Sequence, residues 1–67
     1  MLVNILKARI EKNPTDGQLR ISLAAAYLKL GEREKAVEVI QSMIDTNPKF
    51  KDQGEYFIKE IRAGRNP

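Results

Sequence analysis

The sequence predicts an all-α fold, an array of about four antiparallel helices. Apolar residues recur at three- and four-residue spacing along the chain, and no stretch alternates with period two over a useful length. Asn-Pro occurs twice, at Asn13-Pro14 and Asn47-Pro48, and the residue before a proline is pushed out of the helical region. The two prolines stand 34 residues apart, with Gly31 between two apolar-periodic segments. A 34-residue period belongs to helix–turn–helix repeats. Connections this short force neighbouring helices to run antiparallel.

The first helix is expected over Leu2 to Lys12, where Leu2, Leu6 and Ile10 recur at four-residue spacing and Val3 and Ile5 widen the stripe. Thr15 stands three residues before Gln18, which fits a capping box opening a second helix over about Asp16 to Leu30. That helix carries Leu19, Leu23, Ala24, Ala26, Tyr27 and Leu30 as its apolar stripe, and its alanine run leaves room for another backbone. Gly31 closes it in the left-handed conformation that glycine tolerates. A third helix follows over Glu32 to about Thr46, with acidic residues in its first turn. Ala36, Val37, Ile40, Met43 and Ile44 form its buried stripe, and Glu34, Glu38, Gln41 and Asp45 its polar face. A fourth runs over about Asp52 to Ala63, with Phe50 leading in, Phe57, Ile58 and Ile61 facing inward, and Gly64 ending it.

Sixty-seven residues allow one domain, near the lower limit for a self-supporting core. The chain has neither cysteine nor histidine, which excludes disulfides, thiolate chemistry and the common zinc ligand sets. No cofactor is implied. Ser22, Ser42, Thr15 and Thr46 have no activating base, and Glu32, Glu34 and Glu38 are interleaved with Arg33 and Lys35, so they read as a solvated face. No enzyme is expected. The four glycines have turn or near-terminal explanations and form no phosphate loop. The net charge is +3, but acids interrupt the bases throughout, which argues against nucleic acid. No apolar run approaches membrane-spanning length, and with no signal-like N-terminus the cytoplasm is the default expectation.

Within residues 17–50 the chain resembles a tetratricopeptide repeat, whose pattern is Trp-x2-Leu-Gly-x2-Tyr, then Ala-x3-Phe, then Pro. Arg20, Leu23, Ala24 and Tyr27 fill the first block, Ala36 and Ile40 the second, and Pro48 the last. Arg20 in the aromatic place is the departure, and it implies a looser or more exposed edge there. Counting back 34 residues reaches Leu2, Leu6 and Pro14, so the first helix resembles the second helix of a preceding unit. Counting forward reaches Phe57 and Ile61, but Ala24 maps onto the bulky Ile58 and Gly64 falls one residue short of the turn position. The fourth helix therefore resembles a capping helix. The expected division is 1–14 as a partial repeat, 15–48 as the full repeat, 49–64 as the cap and 65–67 as a frayed tail. Such repeats lean on their neighbours, which implies a piece of a longer array or two chains that complete each other.

The resemblance implies that the first helix of each unit lines a concave groove. By register this names Gln18, Ile21, Ser22, Ala25, Leu28 and Lys29, followed by Asp52, Glu55, Tyr56, Lys59 and Arg62. Periodicity adds that Ile21 and Leu28 lie seven apart on one face, off the Leu23–Tyr27–Leu30 stripe, and that Tyr56 lies off the Phe57–Ile61 stripe. The alternative for these three is burial against a preceding helix, or scattered exposure. Family members that clamp the terminal carboxylate of chaperone tails use lysine and asparagine where this chain has Ile21 and Ala25, so an apolar or mixed partner surface fits better. Lys49, Lys51, Lys59, Arg62 and Arg65 suit either an anionic partner, RNA included, or a soluble capping helix. The expected function is a non-enzymatic protein–protein interaction module binding a peptide or helix in the groove. Homodimerisation through the exposed stripe is the alternative.

Overall fold

The structure, a computed structural model, describes residues 2–65. Four α-helices follow one another: α1 over Leu2–Lys12, α2 over Gly17–Lys29, α3 over Arg33–Thr46 and α4 over Lys51–Arg62, with a 3-10 turn at Pro48–Phe50. Among the described residues there is no strand, and the all-α expectation is borne out. The helices lie side by side in a slab of 32 × 29 × 14 Å. Each packs mainly on its neighbours in sequence: α1 on α2, α2 on α3, α3 on α4.

The helix boundaries follow from local chemistry. α1 ends where both the backbone N–H and the side-chain amide of Asn13 donate to the Arg9 carbonyl, at 2.9 and 3.1 Å. The expected capping box is replaced by a different cap. Asp16 turns back onto the Asn13 carbonyl and its carboxylate accepts from the Gln18 N–H at 3.0 Å, so Asp16 opens α2 in place of Thr15. Gly31, at φ 77°, closes α2 with two nested bonds, Gly31 N–H to the Leu28 carbonyl and Glu32 N–H to that of Tyr27. Gly64, at φ 84°, ends α4 in the same way, with Arg65 N–H reaching the Glu60 carbonyl. Asn47 is extended before Pro48 and stops α3.

The core is built around α3. Ala36, Ile40 and Met43 are at most 1% exposed, as is Ile61 of α4, and Leu6, Leu23, Ala24, Tyr27 and Val37 complete the cluster. Two glycines do work that turns and termini do not explain. A Cβ on Gly17 would lie 2.6 Å from the Phe50 ring, and one on Gly54 would lie 2.6 Å from the Ile44 side chain. The close approach of α4 to α3 is thus made at Gly54, four residues before the bulky Ile58. Arg20 is half-buried, its guanidinium donating to the Pro14 carbonyl.

Three apolar residues depart from the expected stripes. Leu2 is 59% exposed, Ile5 52% and Leu30 53%. For Leu2 the repeat register gives the reason. Leu2 holds in α1 the place that Ala36 holds in α3, and Ala36 is fully buried in a helix that packs on both α2 and α4. Among the described residues no helix lies on the matching flank of α1. The expected frayed tail at 65–67 falls mostly outside the described residues. Arg65 itself forks onto both carboxylate oxygens of Glu60, at 2.9 and 2.8 Å.

Candidate functional site

α2 and α4 both rest on α3 and scarcely touch each other directly. Their separation opens a cleft of about 110 Å³, which Ile21, Ala24, Ala25 and Leu28 line from α2 and Phe57 and Ile61 from α4. Ile40 of α3 forms its floor. The paired alanines create the room: at the corresponding places 34 residues on, α4 carries Ile58 and Lys59. No polar side chain lines the cleft.

The walls are held from outside. Arg33 of α3 donates from Nη1 to the Ile61 carbonyl at 3.3 Å, which ties the C-terminal end of α4 to the start of α3. Gly54 lets the other end of α4 sit tightly on Ile44. The Arg65–Glu60 fork closes the last turn. Its hydrogen bonds, together with the Arg65 charge, hold the Glu60 carboxyl below its ordinary value and raise the Arg65 guanidinium. At the start of α3, the hydrogen bond and charge of Glu32, 3.1 Å away, raise Lys35. Lys35 and Lys7 both stand over the Tyr27 ring, at 5.8 and 5.9 Å from its centre. All three shifts strengthen charged forms, which is the behaviour of surface ion pairs. Among the described residues no cluster of acids could hold a metal ion.

The groove residues named from the sequence divide into groups. Ile21, Ala25 and Leu28 come together in the cleft, the first and last half-buried and Ala25 exposed at its mouth. Gln18 and Ser22 are exposed on α2. Lys29 lines a second cleft on the opposite flank of α2, about 180 Å³, with Leu2, Val3, Ala26 and Leu30. Glu55, Tyr56, Lys59 and Arg62 are exposed on α4, and none of them lines the first cleft. Tyr56 is 57% exposed, with its ring centre 6.0 Å from that of Phe57, so it stands beside the cleft wall. Lys29, Lys59 and Arg62 make no ion pair among the described residues. Periodicity assigns Ala24, Ile40, Phe57 and Ile61 to the core, where they lie, and they also form much of the cleft. The available signal was the small pair Ala24-Ala25, which leaves a gap wherever two helices stand side by side.

Comparison with known proteins agrees with this architecture. Residues 3–55 match the family described as tetratricopeptide repeat. The photosystem I assembly protein Ycf3 of Synechococcus sp. (strain CC9902) is 38% identical over 56 residues, covering 76% of this chain and 32% of that protein. The chain thus spans about a third of that relative's length. No solved structure matches. With its helices in 34-residue register and most of its length inside the family match, the chain belongs to the tetratricopeptide repeat family.

Proposed function

We propose that the chain is a protein–protein interaction module that binds a short peptide or helix between α2 and α4. The family supports the general part of this reading, since its repeats are non-catalytic scaffolds for other proteins. The observation that carries the specific part is the apolar cleft that Ile21, Ala25 and Leu28 share with Phe57 and Ile61. An apolar recess with no polar lining is a place where a partner side chain gains most from leaving water. Tyr56 supplies a further aromatic surface beside it. Lys59 and Arg62, which make no ion pair among the described residues, orient acidic groups of the partner, and Lys29 does so from the far side of α2. The similarity to an assembly protein fits a module of this kind, whose task is to hold another protein.

The test is selection from a random peptide display library against the whole chain, followed by affinity measurement on an Ala25→Arg variant. Ala25 is exposed, so the variant should keep its helicity while its guanidinium blocks the cleft mouth. Selected peptides that bind both proteins equally well would refute the groove reading.

Exposed Leu2, Ile5 and Leu30 favour a second reading, self-association through the N-terminal flank. Three aliphatic side chains are a small part of the roughly 800 Å² per partner in a standard interface, so this association would be weak. Sedimentation as a strict monomer at millimolar concentration would rule it out.

A further inference from the structure

We infer that the N-terminal flank, where α1 runs beside the end of α2, docks an acidic amphipathic helix of another protein. This surface lies across α2 from the cleft described above, and the inference stands apart from the groove reading. Leu2, Ile5, Arg9 and Lys12 fall on one face of α1, at spacings of three, four and three residues, and all four are exposed. Leu2 also borders the recess that Val3, Ala26, Lys29 and Leu30 line, so Lys29 and Leu30 extend the surface onto α2. The result is an aliphatic patch with Lys29 at one end and Arg9 and Lys12 at the other.

The repeat register narrows the occupant. Thirty-four residues on, the same face of α3 carries Ala36, Val39, Met43 and Thr46, and Ala36 and Met43 are at most 1% exposed. A purely apolar helix that covered α1 as α3 is covered would set the Arg9 guanidinium in the place of Met43, out of water and without a partner, which is costly. A helix with carboxylates beside its apolar stripe covers Leu2, Ile5 and Leu30 and supplies counter-charges to Arg9, Lys12 and Lys29. Among the described residues none of these three cations makes an ion pair. All three stand in the last turns of their helices, where the helix dipole favours cations. That accounts for their charge but not for the face that Arg9 and Lys12 share with Leu2 and Ile5.

A second copy of the chain fits this surface less well. The stripe on α1 holds no carboxylate, so two stripes set together place cations on cations or on aliphatic groups. The acidic face of α3, with Glu34, Glu38, Gln41 and Asp45, offers no apolar residue to cover Leu2 and Ile5. Charge thus opposes the self-association that the exposed aliphatic residues alone would allow. A lipid surface is disfavoured by shape, because part of the patch is recessed between two helices and no aromatic side chain lines that recess.

The experiment uses two synthetic helical peptides that share a leucine stripe at three- and four-residue spacing, flanked in one by glutamates and in the other by lysines. Binding to the whole chain is followed by fluorescence anisotropy. The glutamate peptide should bind about tenfold tighter than the lysine peptide or better, with the gap closing as salt rises. Arg9→Glu combined with Lys12→Glu should reverse the order. Lys29→Glu, which should narrow the gap, tests the same preference if the double variant does not fold. Ile5→Ser should weaken the glutamate peptide roughly fivefold, which charge attraction alone would not produce. Ala25→Arg, which blocks the other cleft, should leave its affinity unchanged. The substituted side chains are all exposed, and circular dichroism checks that each variant keeps its helices. Equal affinity for the two peptides, or no binding of the glutamate peptide, would overturn the inference. So would a preference that survives the charge reversals, or loss of binding in Ala25→Arg, which would move the peptide to the groove. Ile5-dependent binding to phosphatidylserine vesicles, without binding of the glutamate peptide, would assign the flank to a membrane surface instead.

Discussion

Gly54→Ala tests how closely α4 is pressed onto α3, on which the geometry of the cleft depends. The added Cβ would stand 2.6 Å from both Cδ1 and Cγ1 of Ile44 and 3.4 Å from Cγ2 of Ile40. Ordinary contact begins near 3.4 Å, so Ile44 or the helix must move by close to an ångström. Overpacking of this kind costs about 1–3 kcal/mol. Replacing glycine by alanine inside a helix returns about 1 kcal/mol. The net expectation is a loss of about 1 kcal/mol, or a Tm lower by about 4–8 °C in a domain of this size. Ile44 is half-buried, so Ile44→Ala should cost less than the roughly 2–5 kcal/mol of a fully buried site. In that background the alanine methyl occupies space the isoleucine has left. The double variant should therefore be more stable than Ile44→Ala alone, with a favourable coupling of about 1–3 kcal/mol. Urea denaturation of the four proteins, followed by far-UV circular dichroism, measures the cycle. If Gly54→Ala stabilises the parent and the two substitutions are additive, α4 is not held at this distance.

Three further outcomes follow from the caps and the surface pair. Asp16→Ala should cost about 1 kcal/mol in thermal denaturation, whereas Thr15→Ala should leave stability unchanged; equal effects would restore the capping box. Gly31→Ala, at φ 77° with open space around it, should cost about 1 kcal/mol through backbone conformation alone, read by the same melts. The Glu60 carboxyl is held below its ordinary 4.5, so the fork with Arg65 contributes fully above that pH and is lost as pH falls through the lowered value. Carboxyl-carbon NMR should place the Glu60 midpoint below 4.5, and Arg65→Ala should return it there; a midpoint unmoved by Arg65→Ala would contradict the fork.

The helices were legible because their signals are local: apolar spacing, Asn-Pro stops and a glycine between two periodic segments. The 34-residue register was equally plain. The α2 cap was not, since Thr15 and Gln18 satisfy the capping-box spacing while the turn from Asn13 brings the Asp16 carboxylate to the Gln18 N–H instead. Gly17 and Gly54 also resisted reading, because their purpose lies in Phe50 and Ile44, which are distant in sequence. At the candidate site, register placed Ile21, Ala25 and Leu28 on one face, and they line one cleft. It could not show that Phe57 and Ile61 form the opposite wall, because a stripe at helical spacing reads as core whether it is fully covered or borders a gap. Leu2 and Leu30 fall on the apolar stripes and are nonetheless exposed for the complementary reason: the pattern records a residue's suitability for packing, and a neighbour must be present to use it.

The order in which the helices pack, each mainly on the next in sequence, has a consequence for motion. In such a chain, local opening peels from the ends and leaves the middle intact. Release of α4 would expose its backbone amides to hydrogen exchange and remove one wall of the cleft, while α1, α2 and α3 stay folded. The open form cannot hold a ligand that needs both walls. A ligand at a hundred times its Kd would therefore deepen the protection of α4 by about 2.7 kcal/mol, and α1 would exchange as before. The binding site and one of the two end helices are the same piece of structure, so occupancy would be recorded as the quieting of one end of the molecule.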